Sequence, residues 1–109
     1  MASVTYLERR ENFRLTLEMM LHDYRMKHHP SLALQSVEIV EGRKYDKVVV
    51  VDGGRSAYCW IDRETGALMK GNWKKVEDKR PRGNIFNSNP MIGCNPYGID
   101  YLKIENYKF

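Results

Sequence analysis

Four consecutive valines, Val48 to Val51, constrain this chain more than any other feature. β-Branched side chains are stiff at χ1 and fit a pleated surface, and an apolar run without alternation belongs to a strand covered on both faces. Such a strand needs paired neighbours and a packed layer. The flanks supply the turns: Asp52-Gly53-Gly54 follows the valines, and Thr65-Gly66 closes a second turn. Glycine gives those turns the positive φ that hairpins require. The segments "LALQSVEIVEG", "YDKVVVVDGG", "RSAYCWID" and "ALMKG" then read as an antiparallel meander of about four strands within 31–71.

Residues 1–30 read as one long helix. Ser3 or Thr5 stands as a cap, with Glu8 three residues after Thr5 as in a capping box, and Pro30 ends the helix. Its apolar residues form two stripes. At ~100° per residue, Tyr6, Phe13, Leu17, Met20, Leu21 and Tyr24 share one face, while Leu15, Met19 and Met26 lie nearly opposite. The first stripe can cover the sheet. The second points to a second copy of the chain, or to burial under the chain's own C-terminal segment.

From 72 to 109 the pattern changes. Gly, Pro and Asn recur in "RPRGN" and "SNPMIGCNPYG", so a basic loop and an irregular C-terminal segment are expected, with "IDYLKI" as a closing strand or short helix. The whole is an α+β domain spanning 1–109, a long N-terminal helix packed on an antiparallel sheet.

With 42% hydrophobic and 29% charged residues, the balance is globular. The net charge of +4 favours anionic partners, although a solvated basic surface explains such a charge equally well. Cys59 and Cys94 form no CxxC pair and fit a reducing compartment. No signal peptide and no membrane-spanning run is present, so the expected location is the cytoplasm.

No catalytic constellation stands out. Cys59 reads as a buried strand residue and Cys94 as the more exposed thiol in a loop. Asp52 and Asp62 read as turn-formers, with Asp46 and Glu64 at strand or turn flanks. His22 and His29 lie two helical turns apart, too far for joint coordination, so neither a metal nor a cofactor is implied. There is no phosphate loop of the NTPase kind and no dinucleotide fingerprint.

What remains is "WKKVEDKRPRGNIF". Lys70, Lys74, Lys75, Lys79, Arg80 and Arg82 crowd around Trp73. Pro81-Arg82-Gly83-Asn84 reads as a turn whose amides, with the Arg82 guanidinium, face an anion. Trp73 offers a stacking face, and Tyr58 and Trp60, two apart on one strand face, floor the same site. In this reading Ile85 and Phe86 plug the loop into the core. The expected ligand-binding set is therefore Arg82, Gly83, Asn84, Trp73, Lys74, Lys70, Tyr58 and Trp60. The alternative is a loop pinned by its apolar residues and merely solvated by its lysines.

Tyr58 to Asp62, Thr65-Gly66, Lys70, Trp73-Lys74, Arg82 to Phe86, Pro96-Tyr97-Gly98 and Tyr101-Leu102 form a pattern. It resembles that of a group of small proteins from bacteriophage and environmental viral genomes. The likeness covers the C-terminal half and not the helix. It departs where the relatives carry Pro-Ala and this chain has Lys75-Val76, a difference that bears on the loop's conformation. The resemblance implies a viral origin, a host-cytoplasmic setting and no known activity. Small basic viral proteins of this kind bind a nucleotide signal of host defence, bind nucleic acid or a host protein, or serve as minor virion parts. A basic, aromatic pocket in a homo-oligomer fits the nucleotide reading best.

Overall fold

The computed structural model describes residues 4–99. Helix α1 spans Val4–His28. It is followed by β1 (Ser36–Val40), β2 (Tyr45–Val51), β3 (Arg55–Asp62), β4 (Ala67–Gly71), β5 (Val76–Asn84) and a short pair, β6 (Cys94–Asn95) and β7 (Gly98–Ile99). The first five strands form an antiparallel sheet in chain order. The fold is α+β, with the helix on one face of that sheet.

The valine run behaves as its composition dictates. β2 lies between β1 and β3, and Val48 and Val49 are fully buried. On the helix, Tyr6, Phe13, Leu17 and Leu21 are buried and form one core with Val37, Val48, Ile61, Leu68, Ile85 and Ile99. Each such aliphatic or aromatic side chain contributes roughly 1.5–3 kcal/mol by leaving water. Met20 packs at the edge of this core, and Tyr24 is half-buried. The opposite stripe is open: Leu15, Met19 and Met26 are exposed.

The helix begins at Val4, so Thr5 lies inside the first turn and no Thr5–Glu8 capping box exists. The other expected cap, Ser3, lies outside the described residues, as does "IDYLKI" beyond Ile99.

Two corrections concern the second half. The expected basic loop from residue 72 is largely a strand, and the sheet has five strands rather than about four. Among the described residues β5 pairs only with β4. A strand at a sheet edge tolerates charges and a proline because one side of its backbone needs no partner, and Pro81 sits there. The expected Pro81–Asn84 turn is thus the end of β5, with Gly83 opposite Leu68 and Asn84 opposite Ala67.

The second correction concerns β3. Val48 pairs with Cys59, but Val49 pairs with Ala57, which leaves Tyr58 as the extra residue of a β-bulge. Tyr58 and Cys59 therefore both join the helix-side core, whereas Trp60 joins a second cluster with Ala67, Met69, Tyr45 and Val76 on the other face. Tyr58 and Trp60 do not share a face.

The helix side is tied by charge as well as by packing. Asp46 is fully buried. Its carboxylate accepts hydrogen bonds from the Tyr6 hydroxyl (2.7 Å), Arg10 (2.9 Å), Arg63 (2.5 Å) and the Gly42 amide (3.2 Å). Burial pushes its pKa up, but the bonds from Arg10, Tyr6 and Arg63 outweigh burial and hold the carboxyl below its ordinary range. Asp52 is not the local turn-former it resembled. Its carboxylate accepts from Arg25 (2.8 Å) and Gln35 (3.3 Å), and so ties the helix end to the β2–β3 turn. Asp62 does form its turn, accepting from the amides of Glu64 and Thr65.

Candidate anion-binding cleft

The expected site residues separate into four places. Arg82, the expected anion contact, is buried, with only 2% exposure. Its guanidinium donates to the Ile99 carbonyl (3.3 Å) and the Asp78 carboxylate (3.1 Å). It braces β5 against β7 and presents no exposed lip. Gly83 and Asn84 line a different hollow, of about 620 Å³, with Asp62, Thr65, Ala67 and Met69. The Asn84 side chain is engaged there, donating to the Thr65 carbonyl and accepting from the Phe86 amide. Ile85 plugs the core as expected, but Phe86 is 39% exposed and lies against Gly66, where a Cβ would meet its ring at 2.5 Å.

Tyr58 and Lys70 border a smaller hollow of about 200 Å³ beside the β6–β7 pair. The Tyr58 hydroxyl faces the carbonyls of Asn95 (2.8 Å) and Gly98 (3.0 Å) and accepts from the Asn95 amide (3.0 Å). Burial drives its pKa far upward. Tyr58 is a brace for the β6–β7 hairpin and lies away from Trp60 and Trp73.

The two thiols are poor nucleophiles for the same reason. Burial raises Cys59 well above its ordinary value and pushes Cys94 up to about 11. Among the described residues no three His, Cys, Asp or Glu side chains gather as a metal would need.

Trp60, Lys74 and Trp73 remain, on the sheet face away from the helix. The β4–β5 connection is irregular, with register shifts at Leu68/Lys70 and Lys70/Gly71. They let the turn after β4 fold over the sheet, where the Asn72 carbonyl accepts from the Trp60 indole (3.0 Å). The Asn72 side chain then accepts from the amides of Lys74 (2.8 Å) and Lys75 (2.9 Å), which fixes the turn. Gly71 allows the close approach: a Cβ there would sit 2.6 Å from the indole nitrogen and 2.4 Å from the Lys75 carbonyl oxygen.

This turn forms one wall of a cleft of about 470 Å³. Lys74, Lys75, Val76 and Lys79 line that wall; Gly42, Arg43 and Lys44 from the β1–β2 connection line the other; Tyr45 and Trp60 lie between. Five cationic side chains face this space, and no carboxylate is among its lining residues. Lys47 sits alongside, 3.6 Å from the Trp73 ring centre and 5.4 Å from that of Trp60. Trp73 itself is 43% exposed and also faces Arg55. The cleft is therefore basic and aromatic, and of the expected ligand-binding set it takes in Trp60 and Lys74 but not Arg82.

Arg43, Lys44 and Tyr45 escaped the sequence reading. Their signal was present as a basic hairpin turn, "GRKY", but its nearness to Lys74 and Lys79 follows only from how the β4–β5 turn folds back.

A family model matches residues 7–94 of this chain. The chain belongs to the Family of unknown function (DUF7717). The matched span takes in most of the helix, all five strands of the sheet and every residue lining the basic cleft. No curated protein and no solved structure matches the chain. Nothing in the family description points to catalysis. Among the described residues no helix is long and apolar enough to cross a membrane.

Proposed function

We propose that the chain is a non-catalytic binder of a phosphate-bearing nucleotide, held in the cleft between the β1–β2 and β4–β5 turns. The observation that carries this reading is the lining: Arg43, Lys44, Lys74, Lys75 and Lys79 around Tyr45 and Trp60, with no lining carboxylate. Ammonium and guanidinium groups gathered around one cleft repel one another until an anion enters, and a phosphate satisfies several at once. The volume is within the range of small-ligand sites. The exposed Trp73 beside the cleft supplies an aromatic face for a base. The resemblance to bacteriophage proteins gives a setting: a small viral protein in the host cytoplasm that sequesters a nucleotide signal of defence.

One observation favours a second reading, single-stranded nucleic acid. The hollow at Asp62, Ala67, Met69 and Asn84, which carries one carboxylate, adjoins the basic cleft, since Tyr45 and Trp60 pair directly with Asp62 and Met69. Calorimetric titration with mononucleotides, dinucleotides and a short single strand, each at two salt concentrations, separates the readings. A nucleotide pocket gives tight mono- or dinucleotide binding with a shallow salt slope. A strand groove gives a steep slope and binds the strand alone. Absence of binding to all three overturns both readings.

A further inference from the structure

From the exposed face of α1 we infer a second site of a different kind: a self-complementary surface on which a second copy of this chain docks antiparallel, on a two-fold axis beside Leu15. It is independent of the cleft. Val4, Leu15, Met19 and Met26 are 72%, 42%, 67% and 63% exposed. At ~100° per residue they fall within an arc of about 60°, nearly opposite the buried Tyr6–Phe13–Leu17–Leu21 stripe. The stripe runs from the first turn of the helix to the last, about 33 Å at 1.5 Å per residue.

The order of side chains along it selects the orientation. Glu8 and Glu11 flank its N-terminal half, and His22 flanks its C-terminal half. A parallel copy stacks Glu8 and Glu11 on their own images, which is repulsive, and aligns the helix dipoles unfavourably. An antiparallel copy centred on Leu15 sets Val4 opposite Met26 of the second copy, Glu8 opposite His22, Glu11 opposite Met19, and Leu15 opposite itself. The His22 Nε2 donates to the Gln35 carbonyl (2.6 Å), which fixes the ring at the edge of the stripe.

The surface relief agrees. A hollow of about 390 Å³ is lined by Val4, Leu7, Glu8, Glu11 and Asn12. In this register the long, unbranched side chains of Met19 and Met26 from the second copy lie over that hollow. Thioether side chains adapt well to irregular apolar concavities. The two-fold repeats the same insertion at the other end, so each copy supplies both knob and hollow.

Light scattering and cysteine cross-linking test the inference on the full chain. The parent is expected at twice the 12.8 kDa of one chain at micromolar concentration. Met19→Glu is expected as a folded monomer with the parent's far-UV circular dichroism, because Met19 is two-thirds exposed in the single chain, and its melt should lose the concentration dependence that a dimer confers. Under mild oxidation Leu15→Cys is expected to cross-link to itself well beyond the parent, whose Cys59 is buried and whose Cys94 is partly so. Val4→Cys mixed with Met26→Cys is expected to give the mixed dimer, and neither alone to do so. A monomeric parent, a dimer that survives Met19→Glu, or self-linking of Val4→Cys overturns the inference.

Discussion

The two faces of the sheet carry similar side chains and use them differently. On the helix side, charge is matched atom by atom. Asp46 takes Arg10, Arg63 and Tyr6; Asp52 takes Arg25; Asp78 takes Arg82. On the other side, Arg43, Lys44, Lys74, Lys75 and Lys79 face one cleft, and among the described residues none of them has an ion pair. Cations with fixed acceptors are spent on the fold. Cations gathered without acceptors create a field whose natural complement is an anion from outside. On the function proposed above, the first face serves stability and the second recognition, and substitutions on each side either preserve or break that division.

The largest effect belongs to Asp46. Asp46→Ala strands two guanidinium groups and a phenol beside a fully buried position, so a loss of about 3–5 kcal/mol is expected, read by urea unfolding. The same network sets an acid limit. Asp46 has a folded pKa below its ordinary 3.8, so its stabilisation is complete above that value and is lost as pH falls through the depressed one. Midpoints measured from pH 7 down to 2 should drop in that acid range for the parent, and the drop should be smaller for Asp46→Asn. Equal drops would place the acid sensitivity elsewhere.

Arg82→Ala comes next. It removes a buried guanidinium that joins β5 to the Ile99 carbonyl, but Asp78 is partly exposed and water compensates it. A loss of about 1–3 kcal/mol is expected, with ligand affinity unchanged once the protein is folded. A stable Arg82→Ala with lost binding would restore the anion role that its sequence position implied.

These contrasts also show what could be read in advance. The first four strands and the helix were legible because alternation, the valine run and the glycine turns all point one way. β5 was not, because the charges and proline that an edge strand tolerates are also what a loop contains. The pairing of Tyr58 with Trp60 failed at a bulge, since one inserted residue at Tyr58 turns the period-2 rule over to the other face. The burial of Arg82 follows from β7 lying beside β3, a long-range contact without a local signature. The cleft was half legible. Its Trp and Lys content was visible, but the partner wall at Arg43–Lys44 depends on how the β4–β5 turn folds over Trp60.

That fold-back is testable at one atom. Gly71→Ala places a methyl 2.6 Å from the Trp60 indole nitrogen and 2.4 Å from the Lys75 carbonyl oxygen, and neither can yield without moving the turn. A stability cost of about 1–3 kcal/mol is expected from the overpacking. Tryptophan emission should shift to the red as Trp60 loses its Asn72 partner, and nucleotide affinity should fall with it. Unchanged emission with lost affinity would mean that Gly71 acts on the ligand directly.

The smallest effect on stability should accompany a large effect on recognition. Lys44 and Lys79 lie on opposite walls of the cleft, one before β2 and one within β5, and both are exposed. Exposed side chains without ion pairs contribute little to folding, so the double variant Lys44→Ala/Lys79→Ala should unfold within about 0.5 kcal/mol of the parent. If the cleft grips a phosphate from both sides, the same variant should bind a nucleotide at least tenfold more weakly, since each charged hydrogen bond is worth about 1.5–3 kcal/mol. Calorimetry at one salt concentration reads this directly. A loss of stability with binding intact would reverse the division between the faces: the outer lysines would then be part of the fold, and the anion would sit elsewhere.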